Sequence, residues 1–145
     1  VSVPTLTPTP RSIAFADVTG DRNVDLVVTW LSATPELFIR FDGAFSADGE
    51  RRGLTVPPGA AADSHSARAA DVDADGHVDV FLINSEEGPL LYRNNGSGYF
   101  HEEADVRGLS VGKAFERGPL AALDIDSDGD IDFLSLSPTL QVLSN

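Results

Sequence analysis

Three short windows hold most of the acidity of this chain, and they recur at nearly constant spacing. Twelve of the 16 Asp fall within residues 17–25, 71–79 and 124–132, whose starts lie 54 and 53 residues apart; none of the 7 Glu does. A period of that size is the mark of modules stacked in series, such as propeller blades or solenoid units. The repeat runs past the windows. Arg40 and Gly43 return 53 residues later as Arg93 and Gly96, and Arg52-Gly53-Leu54 returns as Arg107-Gly108-Leu109 at an offset of 55. The units are therefore placed at 12–64, 65–118 and 119–145, the third incomplete. A Pro- and Thr-rich segment, 1–11, precedes them as a linker or edge.

Within a unit the reading is all-β. Each window is preceded by a short stretch such as Ile13-Ala14-Phe15-Ala16 or Leu120-Ala121-Ala122-Leu123, and followed by an apolar run: Leu26-Val27-Val28-Thr29-Trp30, Val80-Phe81-Leu82-Ile83 or Phe133-Leu134-Ser135-Leu136. Runs of four or five residues, rich in β-branched and aromatic side chains and bounded by turn formers, suit buried strands better than helices. A third run follows in every unit. In the second unit Asn94-Asn95-Gly96-Ser97-Gly98 then turns the chain into Tyr99-Phe100-His101, because Asn and Gly accept the positive φ of a tight hairpin. About four strands per repeat make a β-propeller blade, and the chain makes about 2.7 blades, a partial propeller. A ten-stranded β-sandwich is the alternative, but it has no reason to repeat its turn chemistry at a fixed interval. On this reading the remaining blades of a larger propeller, or self-association, must cover the open ends, and the strand near 140–143 is an exposed edge.

The windows themselves read as metal loops. In the second and third, side-chain oxygens stand at positions 1, 3, 5 and 9: Asp71, Asp73, Asp75 and Asp79, then Asp124, Asp126, Asp128 and Asp132. A tight turn that points alternate carboxylates inward and adds a backbone carbonyl at position 7 supplies most of the six to eight oxygens that Ca²⁺ takes. Gly76 and Gly129, at position 6, suit a backbone conformation in which a Cβ is strained. The first window, with Asp17, Thr19, Asp21, Asn23 and Asp25, has lost a carboxylate at position 3 and carries Arg22 in place of the glycine. Two clear Ca²⁺ sites and at most one weaker one are expected. An EF-hand shares the start of the loop but needs Glu at position 12 and flanking helices, whereas position 12 here is Val28, Leu82 and Ser135, each inside a strand-like run.

The loop pattern, with Leu91-Tyr92-Arg93-Asn94-Asn95-Gly96-Ser97-Gly98-Tyr99-Phe100 between copies, resembles the FG-GAP/VCBS repeats of integrin α-subunit propellers and many secreted bacterial proteins. The resemblance covers nearly the whole chain after residue 11. It implies Ca²⁺-binding propeller blades with the named Asp residues as ligands and with His77 and Asp130 contributing backbone carbonyls. The first loop departs from the family pattern at Thr19 and Arg22.

Other classes are disfavoured. A formal charge of -13 repels nucleic acid and anionic membrane surfaces, and no apolar run approaches the roughly 18 residues of a membrane span. There is no Cys, so disulfides and thiolate sites are excluded. No hydrolase, metalloprotease or phosphate-loop motif occurs, and Asp63-Ser64-His65 reads as a polar loop rather than a triad. The acids Glu86-Glu87 and Glu102-Glu103 read as solvated hairpin acids, Trp30 as a core residue at a strand end, and Arg68 and Arg117 as cations offsetting the acidic field. The chain is expected to be no enzyme but a calcium-stabilised interaction or adhesion scaffold for a protein or glycan. The alternative is a segment of a propeller-type carbohydrate-active enzyme or lectin whose active groups lie outside it. Loops of this kind bind Ca²⁺ too weakly to fill in the cytosol, which favours a secreted, periplasmic or cell-surface location.

Overall fold

The computed structural model describes residues 9–58, 62–84, 88–109, 119–136 and 140–143. They form three antiparallel meanders. The first sheet joins β1 (Pro10–Ala16), β2 (Asp25–Trp30), β3 (Ala33–Phe41) and β4 (Ala44–Ala47) in that order; the second joins β5 (Ser64–Ala70), β6 (Asp79–Asn84), β7 (Gly88–Asn94) and β8 (Phe100–Glu102). The third has β9 (Leu120–Leu123), β10 (Asp132–Leu136) and β11 (Leu140–Leu143), with β10 in the middle and β11 at an edge. The fold is all-β, a run of propeller-type blades forming a partial propeller. No α-helix occurs among the described residues, and none of their segments is a helix able to cross a membrane.

The pattern of buried faces explains why β2 and β6 read as unbroken apolar runs rather than alternating ones. Every residue of both strands is buried, because successive side chains point to opposite faces and both faces are covered. Val27, Leu37 and Ile39 of the first sheet meet Val80, Leu82, Leu90 and Tyr92 of the second in one core, with Leu54 and Phe100 closing it. From the other face of the second sheet, Phe81, Ile83 and Leu91 meet Leu120 and Phe133 of the third. There the Phe81 and Phe133 rings stack, centroids 3.6 Å apart and planes within 11°. Leu54 and Leu109, each 1 % exposed, take equivalent places in the two cores, as the Arg-Gly-Leu repeat predicts. Trp30 is buried with Leu26, Val28 and Phe38 on the outer face of the first sheet, which bears out its reading as a core residue at a strand end.

The repeat reaches finer detail than the sequence suggests. The β1–β2 pairing slips between Pro10 and Ser12, and the β5–β6 pairing slips between Ser64 and Ser66, so Arg11 and His65 are the extra residues of bulges 54 positions apart. One feature of the sequence alignment is corrected. Leu26 pairs with Phe38 while Val80 pairs with Tyr92, so the strands superpose at an offset of 54 and Arg40 stands where the second blade has Asn94, not Arg93. Ile39 occupies the Arg93 place. The mismatch arises in the hairpin that follows: β3 turns into β4 through Asp42 and Gly43, whereas β7 reaches β8 through the longer turn 95–99.

Candidate metal centres

Each acidic window is the connection between the first and second strands of its blade. Its ninth residue opens the second strand and faces the residue just before the window: Asp25 opposite Ala16, Asp79 opposite Ala70, and Asp132 opposite Leu123. All three ninth-position carboxylates are buried, and each ties its loop down. Asp25 Oδ2 accepts the Val18 N–H at 3.2 Å, Asp79 Oδ2 accepts that of Val72 at 3.1 Å, and Asp132 Oδ2 accepts that of Ile125 at 2.9 Å. On the far side Asp25 Oδ1 takes the Arg40 N–H at 2.8 Å and Asp79 Oδ1 the Asn94 N–H at 2.7 Å. Burial pushes the Asp25 and Asp79 carboxyls above the usual carboxylate range despite these hydrogen bonds.

The first residue organises the turn. Asp17 accepts the N–H groups of Gly20, Asp21 and Arg22; Asp71 accepts those of Asp75 and Gly76; and Asp124 accepts those of Ser127 and Gly129. The fifth residue accepts the N–H of the seventh in all three loops: Asn23 to Asp21, His77 to Asp75 and Asp130 to Asp128. That hydrogen bond is the main reason the Asp75 carboxyl lies below its ordinary value, as the Asn23 N–H does for Asp21. In every loop the fourth and sixth residues are left-handed. Position 6 is Gly76 at φ 87° and Gly129 at φ 101°, as the motif requires, but Arg22 holds the same place at φ 67°. The first loop therefore keeps the backbone of the motif without its glycine. Position 4, with Gly20, Ala74 and Ser127 at φ 57–74°, is a second left-handed place that the glycine pattern does not reveal.

Among the described residues, two groups of three carboxylates bring oxygens within 4.8 Å of one another: Asp71, Asp73 and Asp79 in the second loop, and Asp124, Asp126 and Asp128 in the third. These can hold a metal ion. The group in the second loop is partly buried and that in the third loop exposed. The Asp73 Oδ1 atom is buried without a hydrogen-bond partner, and a buried anionic oxygen left bare is costly unless a cation meets it. The donor set is carboxylate oxygen throughout, which suits a hard divalent cation. In the third loop, removal from water first and the neighbouring Asp128 charge next push the Asp126 carboxyl up. Of the other expected ligands, Asp75 and Asp132 lie in the same loops outside these triplets, and Thr19, Asp21, Asn23 and Asp25 lie with Asp17 in a loop whose three carboxylates form no such converging group among the described residues.

Cations enter where the sequence did not place them. Arg68 donates to the Ala67 carbonyl at 2.7 Å, and Arg117 lies outside the described residues, as do Glu86 and Glu87. Instead Arg93, from β7, sets its guanidinium among Asp73, Asp75 and Asp79, and Arg107 reaches Asp73 at 3.2 Å. Burial works against the Arg93 charge, but the facing carboxylates outweigh it and hold its pKa above the ordinary value. The signal was present in the Leu-Tyr-Arg-Asn segment of the second unit, which the third unit lacks at Leu140-Gln141-Val142-Leu143.

Residues 71–135 match a family model described as FG-GAP-like repeat, a span that runs from the first carboxylate of the second loop through β6, β7 and β8 of the second blade and the third loop into β10. No curated protein matches the chain. The match falls on the two loops whose carboxylates converge and on the strands from β6 into β10, so residues 71–135 are similar to FG-GAP-like repeats.

Proposed function

We propose that this chain is a calcium-stabilised blade array, exposed outside the cytosol, that serves as an interaction scaffold for protein or glycan and performs no catalysis of its own. The observation that carries the reading is the convergence of Asp71, Asp73 and Asp79, and of Asp124, Asp126 and Asp128, at the same connection of successive blades. Ca²⁺ accepts flexible shells of six to eight oxygens, whereas Mg²⁺ prefers a rigid octahedron that keeps its waters. The carbonyls of His77 and Asp130 and the carboxylates of Asp75 and Asp132 complete the two ligand sets. The first loop, with Thr19 and Arg22, is the weakest candidate. Bound Ca²⁺ would neutralise acids that otherwise repel, and so fix the turns from which a partner is contacted. The net charge of -13 selects neutral or basic partners over polyanions.

Support against catalysis comes from β5. There Ser64 Oγ is buried with no hydrogen-bond partner among the described residues, so His65 does not activate it, while Asp63 approaches His65 at 3.6 Å. Equilibrium dialysis of chelator-treated protein tests the metal reading: two Ca²⁺ ions per chain are expected at millimolar Ca²⁺, one lost on Asp71→Asn and the other on Asp124→Asn. No bound Ca²⁺ would refute it. Glycan and protein arrays probed with and without Ca²⁺ then test the scaffold role, and turnover of a polysaccharide by the chain alone would contradict it.

A further inference from the structure

The two well-formed loops differ in one respect that their sequences hide. In the second, the Arg93 guanidinium already sits among the carboxylates: Nη2 faces Asp73 and lies 3.0 Å from Asp75, and Nη1 faces Asp79. Asp73 and Asp79 are two of the three acids whose oxygens converge. Arg107, held at 3.3 Å by Glu103, adds a second guanidinium 3.2 Å from Asp73. In the third loop, no described Lys or Arg pairs with Asp124, Asp126 or Asp128, and β11, which takes the place of β7, holds no basic residue. In the first blade the place of Arg93 is Ile39. We propose that Arg93 is a built-in counter-cation of the second loop, which a divalent ion must displace, so that the third loop fills first and the second only at higher Ca²⁺.

The physical basis is competition for the same oxygens. A guanidinium and a divalent ion cannot both occupy one carboxylate cluster without strong repulsion. Moving the partly buried Arg93 away sacrifices ion pairs with three acids at once, two of them charge-assisted hydrogen bonds. The pattern also keeps the second loop partly neutralised and ordered without metal, whereas among the described residues Asp124, Asp126 and Asp128 are met only by backbone N–H groups. The proposal rests on the metal reading above and adds an order of filling that the near-identical motifs do not suggest.

Calorimetric titration of the full chain with Ca²⁺ tests it, using Asp126→Asn to silence the third loop. Adding Arg93→Gln is expected to tighten the remaining site about tenfold, the size of effect that one strong charge partner carries. The same change should lower the melting temperature in chelator but not in saturating Ca²⁺. Arg93→Lys, whose ammonium cannot bridge three acids, should tighten the site less and serves if Arg93→Gln is too unstable to titrate. An affinity unchanged or weakened by Arg93→Gln, while Ca²⁺ still binds, overturns the role of Arg93 alone. Absence of Ca²⁺ heat in the wild-type chain and every variant overturns the metal reading and this proposal together.

Discussion

The side chain of Asn94 donates to the carbonyl of Val18, 76 positions earlier, at 2.8 Å, and with its second N–H to Val78 at 2.9 Å. One buried amide on the second blade thus holds the first acidic loop and its own. Its Oδ1 accepts the N–H groups of Gly96 and Gly98 at 3.0 and 2.9 Å, which shapes the turn 95–99. That turn lies close against both loops. A Cβ on Gly96 would come within 2.7 Å of His77, and one on Gly98 within 3.2 Å of the Val18 carbonyl.

Replacing Asn94 by Ala strands two carbonyls and two amide N–H groups at once. Each buried polar group left without a partner costs about 1–3 kcal/mol, so Asn94→Ala is expected to destabilise the chain by roughly 3 kcal/mol or more. Chemical denaturation with and without Ca²⁺ measures it. A loss below about 1 kcal/mol would mean water replaces the amide and the loops are not coupled through it.

The contact between the second and third blades depends on Phe133. The Phe133→Ala substitution removes the stack on Phe81 and opens a cavity in a core where both rings are almost fully buried, at a cost of about 3–5 kcal/mol. Phe133→Leu keeps most of the volume and should cost less than half of that. Equal losses in the two variants would show that ring volume is not what joins the blades.

Asp48 gives the chain an acid-sensitive anchor. It accepts from Arg51 and Arg52, each at 2.6 Å, and the Arg51 hydrogen bond foremost holds its carboxyl down at about 2. A folded-state value below the unfolded one stabilises above the unfolded pKa, and that stability is lost as pH falls through the folded value. The loss attributable to Asp48 should therefore develop between about pH 4 and pH 2. Comparing Asp48→Asn with wild type by urea denaturation across that window checks the sign: the gap should be full above pH 4 and mostly gone by pH 2. A gap that does not shrink between pH 4 and pH 2 would assign the difference to packing.

The outer face of the third sheet is apolar and bare among the described residues, with Leu123, Leu136, Leu140 and Val142 41–61 % exposed. Such a face next to an edge strand promotes association. Sedimentation at rising concentration should show self-association that Leu136→Lys with Leu140→Lys weakens. A strictly monomeric wild-type chain at high concentration would contradict this.

The architecture was legible because the repeat is written in two independent signals, the spacing of the Asp windows and the apolar runs after them. Strands β2, β6 and β10 follow those runs, and all three windows became strand connections. Side-chain pairing was less legible. Arg93 and Arg40 look equivalent in the sequence, and only the strand register shows that Asn94 shares the Arg40 place. The flanking Arg68, close in sequence, bonds elsewhere, while Arg93 and Arg107, distant in sequence, meet the second loop. Backbone conformation was hidden in the same way. Arg22 stands where the other loops have glycine, yet it adopts the left-handed conformation of Gly76 and Gly129 at a cost absorbed by the three hydrogen bonds to Asp17.

The central claim is that carboxylate loops at successive blade connections hold Ca²⁺ and stabilise the fold. Thermal unfolding in chelator and in Ca²⁺ tests it most directly. At free Ca²⁺ about 100-fold above the dissociation constant, one site contributes about 2.7 kcal/mol, or roughly 5–10 °C for a chain of this size. The account predicts that Asp128→Ala removes part of that gain while Glu50→Ala, remote from the loops, leaves it intact. A melting temperature that is the same in chelator and in millimolar Ca²⁺, or equal effects of the two substitutions, would contradict it.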